Sequence, residues 1–178
     1  MLPEFESQRL IILPWIPELD AQQAFATSSK SNVSSSLSCE HDNILEENIH
    51  HSKKFNDGTG FWAIMGKKTQ EFIGGIQLKR LYDINDNPTF NYEIGWHIHQ
   101  ESSGKGYATE AAFKIINYGF HTLNLPALIA IIDPNNTASL KVAQNLGMTS
   151  LGVTDNYYNR GQELFYIKSE CEKIFSLG

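Results

Sequence analysis

The chain is sparing with several kinds of residue, and each shortage excludes something. It has two cysteines, Cys39 and Cys171, too few and too far apart to build a disulfide framework. No apolar run reaches the roughly 18 residues that a membrane-spanning helix needs. The first residues lack the basic, apolar, small-residue order of a secretory signal. Basic charge is also short: 14 Lys and Arg against 20 Asp and Glu leave a formal net charge of −6, without the global positive footprint of a nucleic-acid binder. His97 and His99 share a strand face, but no third ligand has sensible spacing, so no metal site is expected. A cytoplasmic setting, no membrane and no nucleic-acid partner are the resulting expectations.

What is present is ordinary for a globular protein. Hydrophobic residues make up 41% and charged residues 19% of the 178, enough for one domain over residues 1–178 with a real core. No internal repeat or low-complexity linker divides it. Phe5 to Trp15 reads as a first strand stopped at Pro14. Pro17 to Phe25 reads as a short helix, residues 27 to 42 as a serine-rich loop or weak helix, and Ile44 to Phe55 as a partly exposed helix. Phe61 to Met65 and Glu71 to Leu78 then form a hairpin across a short polar turn. In the second of these strands, Phe72, Ile76 and Leu78 fall on one face, with Ile73 and Gln77 on the other.

After a loop from Asp83 to Pro88, Asn91 to His99 is the third strand of a meander. Tyr92, Ile94, Trp96 and Ile98 alternate there with Glu93, Gly95 and His97, and the first set is the expected buried face. Gly104 to His121 is the strongest helix, with Ala108, Ala111, Ala112, Ile115, Ile116 and Gly119 as an apolar stripe suited to packing on a sheet. Pro126 breaks the pattern, and Leu128 to Ile132 is a continuous apolar strand, buried on both faces. A helix to Leu146 follows, capped by Asn136 or Thr137 and stopped by Gly147. Val153 to Tyr158 and Glu163 to Ile167 close the chain as a hairpin around residues 159–161. The sum is an α+β fold: a mixed, mostly antiparallel central sheet with flanking helices.

The stretch Gly104-Lys-Gly106 follows a strand and opens a helix. Backbone N–H groups point outward at such a place and the helix dipole adds partial positive charge, which makes it an anion site. Alone, the two glycines read more naturally as a plain turn. No Gly-x-x-x-x-Gly-Lys-Ser/Thr is present, which excludes a P-loop nucleotide site.

Four stretches in order carry a more specific signal: Glu93-Ile-Gly-Trp96, Gly104-Lys-Gly-Tyr-Ala-Thr-Glu-Ala111, Asn136-x-x-Ser139 and Asn145-Leu-Gly-Met148. Together they resemble the GNAT superfamily of acyl-CoA N-acyltransferases. Within it the chain is most similar to the branch that acetylates ribosomal-protein N-termini, whose opening Thr/Ser-x-Arg-Leu-x-Leu-Arg-x-Trp is echoed by Ser7-Gln-Arg-Leu-Ile-Ile-Leu-Pro-Trp15. The resemblance covers nearly the whole chain. It implies a GNAT-like sheet with a V-shaped splay between the strands at 91–99 and 128–132. It also implies acetyl-CoA as cosubstrate and transfer of acetyl to a primary amine by direct attack in a ternary complex. The amine is a peptide N-terminus, a polyamine or an antibiotic-like amine. Homodimers are common among such proteins, and a non-catalytic acyl-CoA sensor on the same fold is the alternative.

On this resemblance Gly104, Lys105, Gly106, Tyr107 and Ala108 wrap the coenzyme's pyrophosphate, and Trp96, His97 and Ile98 offer a strand edge to the pantetheine amides. Glu93 or His97, on one strand face, is the general base. The N–H of Trp96 or His97 is the oxyanion donor. Asn136 caps a helix, contacts pantetheine, or does both. Ser139 stands near the thiol, where many relatives carry Tyr. One position departs from the family pattern Gln/Arg-x-x-Gly-x-Gly/Ala: its first residue is Glu101, so the cradle must work through backbone N–H groups, with help from Lys105.

Overall fold

The computed structural model describes residues 2–15, 57–83, 87–157 and 161–169. The helices expected over Pro17–Phe25 and Ile44–Phe55, the serine-rich stretch between them, and Tyr158 lie outside these residues. Eight strands are described: β1 (Phe5–Glu6), β2 (Leu10–Pro14), β3 (Gly60–Gly66), β4 (Phe72–Tyr82), β5 (Pro88–Ile98), β6 (Ala127–Ile132), β7 (Thr149–Thr154) and β8 (Gln162–Lys168). They form one sheet in the order β1-β2-β3-β4-β5-β6-β8-β7. Every neighbouring pair is antiparallel except β5 and β6. A parallel pair cannot be joined by a hairpin, and the crossover is helix α1 (Tyr107–His121); helix α2 (Thr137–Asn145) links β6 to β7.

The expected stripe on α1 is the face it buries: Ala108, Ala111, Ala112, Ile115, Ile116 and Gly119 are all buried. Small residues at its start let the helix lie close to the sheet. There it covers a core that includes Leu10, Ile12, Trp62, Ile64, Ile76, Leu78, Ile94 and Leu128. Ile94 is in this core and Tyr92, Trp96 and Ile98 pack against it, as the alternation in β5 predicts. The two signals expected at the ends of the second helix also hold. Asn136 caps α2 by accepting a hydrogen bond at Oδ1 from the Ser139 N–H (3.0 Å). Gly147 follows the helix in the left-handed region at φ 74°.

Four expectations need correcting. The first strand of the last hairpin is β7, Thr149–Thr154, rather than Val153 to Tyr158, so Asp155 to Tyr157 lie in the turn that follows it. The chain's opening strand is a hairpin, β1 and β2, with Phe5 opposite Ile12. Its turn is closed by Ser7, whose N–H donates to the Leu10 carbonyl and whose Oγ accepts from the Leu10 N–H, both at 3.0 Å. The faces of Phe72 and Ile73 are exchanged. Ile64 pairs with Gly74 but Met65 pairs with Phe72, so Ile73 is an extra residue on β4. Such a bulge resets the alternation: Ile73 joins the core, while Phe72 turns to the other face and packs against Trp15 and His99. Finally, the long helix begins at Tyr107 rather than Gly104. Gly104 and Gly106 precede it with φ of 75° and 79°, a conformation in which other L-residues are strained.

Candidate functional site

β5 and β6 touch at a single rung, Glu93 opposite Ile129. Beyond it β5 continues to Ile98 and β6 to Ile132 without further pairing, so their C-terminal ends part. This is the V-shaped opening. The carboxyl ends of parallel strands are where open mixed sheets bind ligands, and the chain places its glycine turn just after one wall and Asn136 and Ser139 just after the other.

The first wall presents a bare backbone edge. The His99 N–H donates to the Ile73 carbonyl across the β4–β5 ladder (2.9 Å). In an antiparallel ladder alternate residues turn their N–H and C=O toward the same neighbour. His97 and Gly95 therefore face β4, opposite Gly75 and Gln77. Trp96 and Ile98 turn theirs toward the opening. Of the two backbone donors expected for an oxyanion, the Trp96 N–H is the one available; that of His97 is used within the sheet. The Trp96 indole packs against the core, and its Nε1 is buried without a hydrogen-bond partner.

At the mouth, residues Gln100–Ser102 form a single 3₁₀ turn, and Gly106 is the N-cap of α1 without any side-chain cap. The first N–H groups of a helix lack intrahelical acceptors, and the earliest closed bond here is from the Glu110 N–H to the Gly106 carbonyl (3.1 Å). The N–H groups of Tyr107, Ala108 and Thr109 thus end the helix as donors. Gly104, Lys105 and Gly106 are exposed, as is Glu101.

Sequence reading assigned no role to Arg9 or Glu110, although both lie within the quoted motifs. The Glu110 carboxylate accepts from Ser7 Oγ (2.6 Å) and the Arg9 N–H (2.9 Å) at Oε1, and from Arg9 Nε (2.7 Å) at Oε2. Arg9 Nη2 completes the ion pair at 2.7 Å, Nη1 donates to the Lys105 carbonyl at 2.8 Å, and the guanidinium sits 4.6 Å from the Tyr107 ring centre. Burial by itself would raise the Glu110 pKa, but the hydrogen bonds from Ser7 and Arg9 and the Arg9 charge outweigh it and hold the group below its ordinary value of 4.5. A carboxylate in a first helical turn also suits the dipole. No sequence rule links positions 101 apart; only the fold brings them together.

On the sheet face away from α1, Glu93 is 5% exposed, with Oε2 3.5 Å from Lys79 Nζ on the paired position of β4. Beside it Gln77 lies across Gly95, where a side chain would stand 2.7 Å from Gln77 Nε2, and Gln77 Oε1 is buried without a partner. His97 is exposed, and its ring is 6.0 Å from that of His99. Asn91, on the same face, donates from Nδ2 to the Tyr157 hydroxyl at 3.0 Å. Glu93 and His97 share this face as expected, but four residues of strand put roughly 13 Å between their backbones. Ser139 is half-buried in the first turn of α2, beyond the opposite wall. Among the described residues, no group of three or more His, Cys, Asp or Glu is placed to hold a metal ion.

A family model described as an acetyltransferase (GNAT) domain matches residues 9–149. The N-acetyltransferase YoaA of Bacillus subtilis, whose name marks it as uncharacterized, is 30% identical over 167 residues, covering 90% of this chain and 92% of YoaA. A spermidine N(1)-acetyltransferase of Escherichia coli K12 is 36% identical over 93 residues, about half of each chain (52% and 48%). Among solved structures, the ribosomal L7/L12 alpha-N-protein acetyltransferase RimL in complex with coenzyme A superimposes with a TM-score of 0.66 over 93% of this chain and 98% of its own, at 14% identity. That last likeness is one of fold.

Proposed function

Because the chain belongs to the family of GNAT acetyltransferase domains, we propose that it transfers an acetyl group from acetyl-CoA to a primary amine by direct attack in a ternary complex. One observation carries the donor half of this reading: the unpaired edge of Trp96 and Ile98 leads straight to the outward N–H groups at Gly104–Ala108. A pantetheine arm needs amide partners along an extended line, and a pyrophosphate needs convergent donors at its end. The opening supplies both in that order, and the backbone donors leave no need for a cation at Glu101.

The amine nitrogen attacks the thioester carbonyl carbon. As the N–C bond forms, negative charge moves to the carbonyl oxygen, where the Trp96 N–H is the donor for it. Collapse breaks the C–S bond and releases coenzyme A as a thiolate that must take up a proton. The amine proton leaves to a base, directly or through water. Glu93 is the better candidate than His97, because it lies at the closed end of the opening where β5 and β6 still touch. Its carboxylate already has Lys79 as a counterion, so a water chain past Gln77 is a natural relay. Ser139, on the far wall, orders the sulfur or a water there, and Asn136 keeps its amide NH₂ for a pantetheine carbonyl while its oxygen caps α2. Relatives named for spermidine and for a ribosomal protein show how far acceptors vary, so the acceptor class stays open between peptide N-termini and small amines.

The test is release of free thiol from acetyl-CoA with a panel of peptides, polyamines and aminoglycosides. Turnover is expected with at least one class, and Glu93→Gln should lower kcat by about 100-fold or more, the usual scale for losing a general base. Tight coenzyme binding without turnover on any amine, unchanged by Glu93→Gln and Ser139→Ala, would identify a sensor instead.

A further inference from the structure

Ser7, Arg9 and Glu110 form a closed cluster at the back of the glycine turn, outside every residue given a role in the transfer. We propose that Arg9 is a positioning residue for the donor's diphosphate: anchored by Glu110, it holds the Lys105 carbonyl so that the cradle's N–H groups face the ligand. The inference rests on the acetyl-CoA reading above and names how that site is kept in shape.

The stereochemistry is direct. The carbonyl of Lys105 and the N–H of Gly106 belong to one planar trans peptide and point in opposite directions. Arg9 Nη1 fixes that carbonyl at 2.8 Å, so the Gly106 N–H must point to the side of the turn away from Arg9. On its far side stands Gly106 at φ 79°, and because glycine accepts either sign of φ this peptide would otherwise be free to flip. A flip would put a carbonyl where an anion is to sit.

The guanidinium is in turn held from three sides. Glu110 takes Nε and Nη2, the Tyr107 ring stacks beneath it, and the Arg9 main chain is pinned by the Glu110 Oε1 bond to its N–H (2.9 Å) and by the Lys67 N–H bond to its carbonyl (2.8 Å). Arg9 also neutralises Glu110, whose negative charge would stand one helical turn from the diphosphate. The hairpin turn at Ser7–Arg9 is thereby coupled to the cofactor loop. Lysine cannot reproduce this, because it lacks the planar fork that contacts a carboxylate and a carbonyl at once.

The experiment compares a donor that has the part the clasp serves with one that lacks it together with the attached nucleotide. Acetyl-CoA carries the diphosphate; S-acetyl-pantetheine keeps the thioester and both amides but lacks it. For Arg9→Lys and Glu110→Gln, KM for acetyl-CoA should rise about tenfold with kcat within twofold, and kcat/KM for acetyl-pantetheine should change less than twofold. Equal losses on both donors would reduce the cluster to general fold support, and no loss on acetyl-CoA in either variant would remove it from cofactor binding; either result overturns the proposal. Calorimetric titration with coenzyme A separates this from failure of the enzymatic reading. A protein that acetylates nothing but binds coenzyme A about tenfold less tightly as Arg9→Lys still supports the clasp, while unaltered binding refutes it.

Discussion

Gly74 offers a sharp test of how the opening is held in shape. A methyl group added there would stand 2.1 Å from the His97 carbonyl oxygen, 2.9 Å from Ile98 Cα and 3.0 Å from the His97 carbonyl carbon. All three atoms are backbone, so no rotamer change relieves the clash. Real Cβ atoms do not approach closer than 3.0 Å, and 3.0 minus 2.1 means a retreat of about 0.9 Å by β5 from β4. Forcing extra volume into a packed site costs typically about 1–3 kcal/mol. Here the hydrogen-bonded rungs on both sides of Gly74 must stretch as well, so Gly74→Ala is expected near the upper end, about 2–3 kcal/mol. The part that moves is Trp96–Ile98, the wall proposed to pair with pantetheine, so coenzyme A affinity should fall about tenfold or more, the equivalent of about 1.4 kcal/mol. Urea unfolding gives the first quantity and calorimetry the second. A Gly74→Ala protein within about 0.5 kcal/mol of the parent, binding coenzyme A equally well, would refute the reasoning that this wall is set by backbone contact at Gly74.

Gly104 makes a contrasting case, because nothing lies within 4 Å of the side chain it would gain. Only its φ of 75° opposes alanine, at roughly 1–2 kcal/mol; an exposed loop can relax this strain until the ligand demands the original shape. Gly104→Ala should therefore lose about tenfold in coenzyme A affinity while its denaturation midpoint barely moves, and the reverse pattern would count against the cradle. Glu110 predicts a pH signature. Its folded pKa is lowered, so its contribution is complete above the unfolded value near 4.5 and is lost as pH falls through the depressed folded value. For this partly exposed pair the contribution is about 1 kcal/mol. Melting curves of the parent and Glu110→Gln should differ at pH 6 and converge as the pH drops toward 3; a constant gap would contradict the pairing.

The elements that were legible in the sequence are those whose signal is local. The stripe from Ala108 to Gly119 repeats at helical spacing, Asn136 precedes its helix by one residue, and Gly147 follows it. Each can be read within one turn of chain. The parting of β5 and β6 was foreseen only through the resemblance to a family, since periodicity says nothing about where a parallel pair stops. What was misread involved an exception to a period or a distant partner. Phe72 and Ile73 exchange faces because one extra residue sits in β4, and a bulge leaves no mark in an apolar run. The hairpin at Phe5–Pro14 was hidden because Ile11, Ile12 and Leu13 read as one strand with what precedes them, while the turn depends on Ser7 bonding to Leu10 and to Glu110. The Arg9–Glu110 pair was invisible for the same reason. Its geometry is a property of the assembled first helix and first hairpin.

The lone rung between Glu93 and Ile129 divides the sheet, mechanically, into two plates. β1 to β5 make one, β6 with β8 and β7 the other; among the described residues the helix α1 lies across them and Asn91 on β5 bonds to Tyr157 beyond β7. A ligand whose amides pair with Trp96 and Ile98 acts as a short extra strand in the gap and continues the ladder where the chain leaves it off. Donor binding then does more than fill a pocket. It fastens one plate to the other, so coenzyme A should slow amide exchange in β5 and β6 together, and the acceptor meets a stiffer floor after the donor has bound than before.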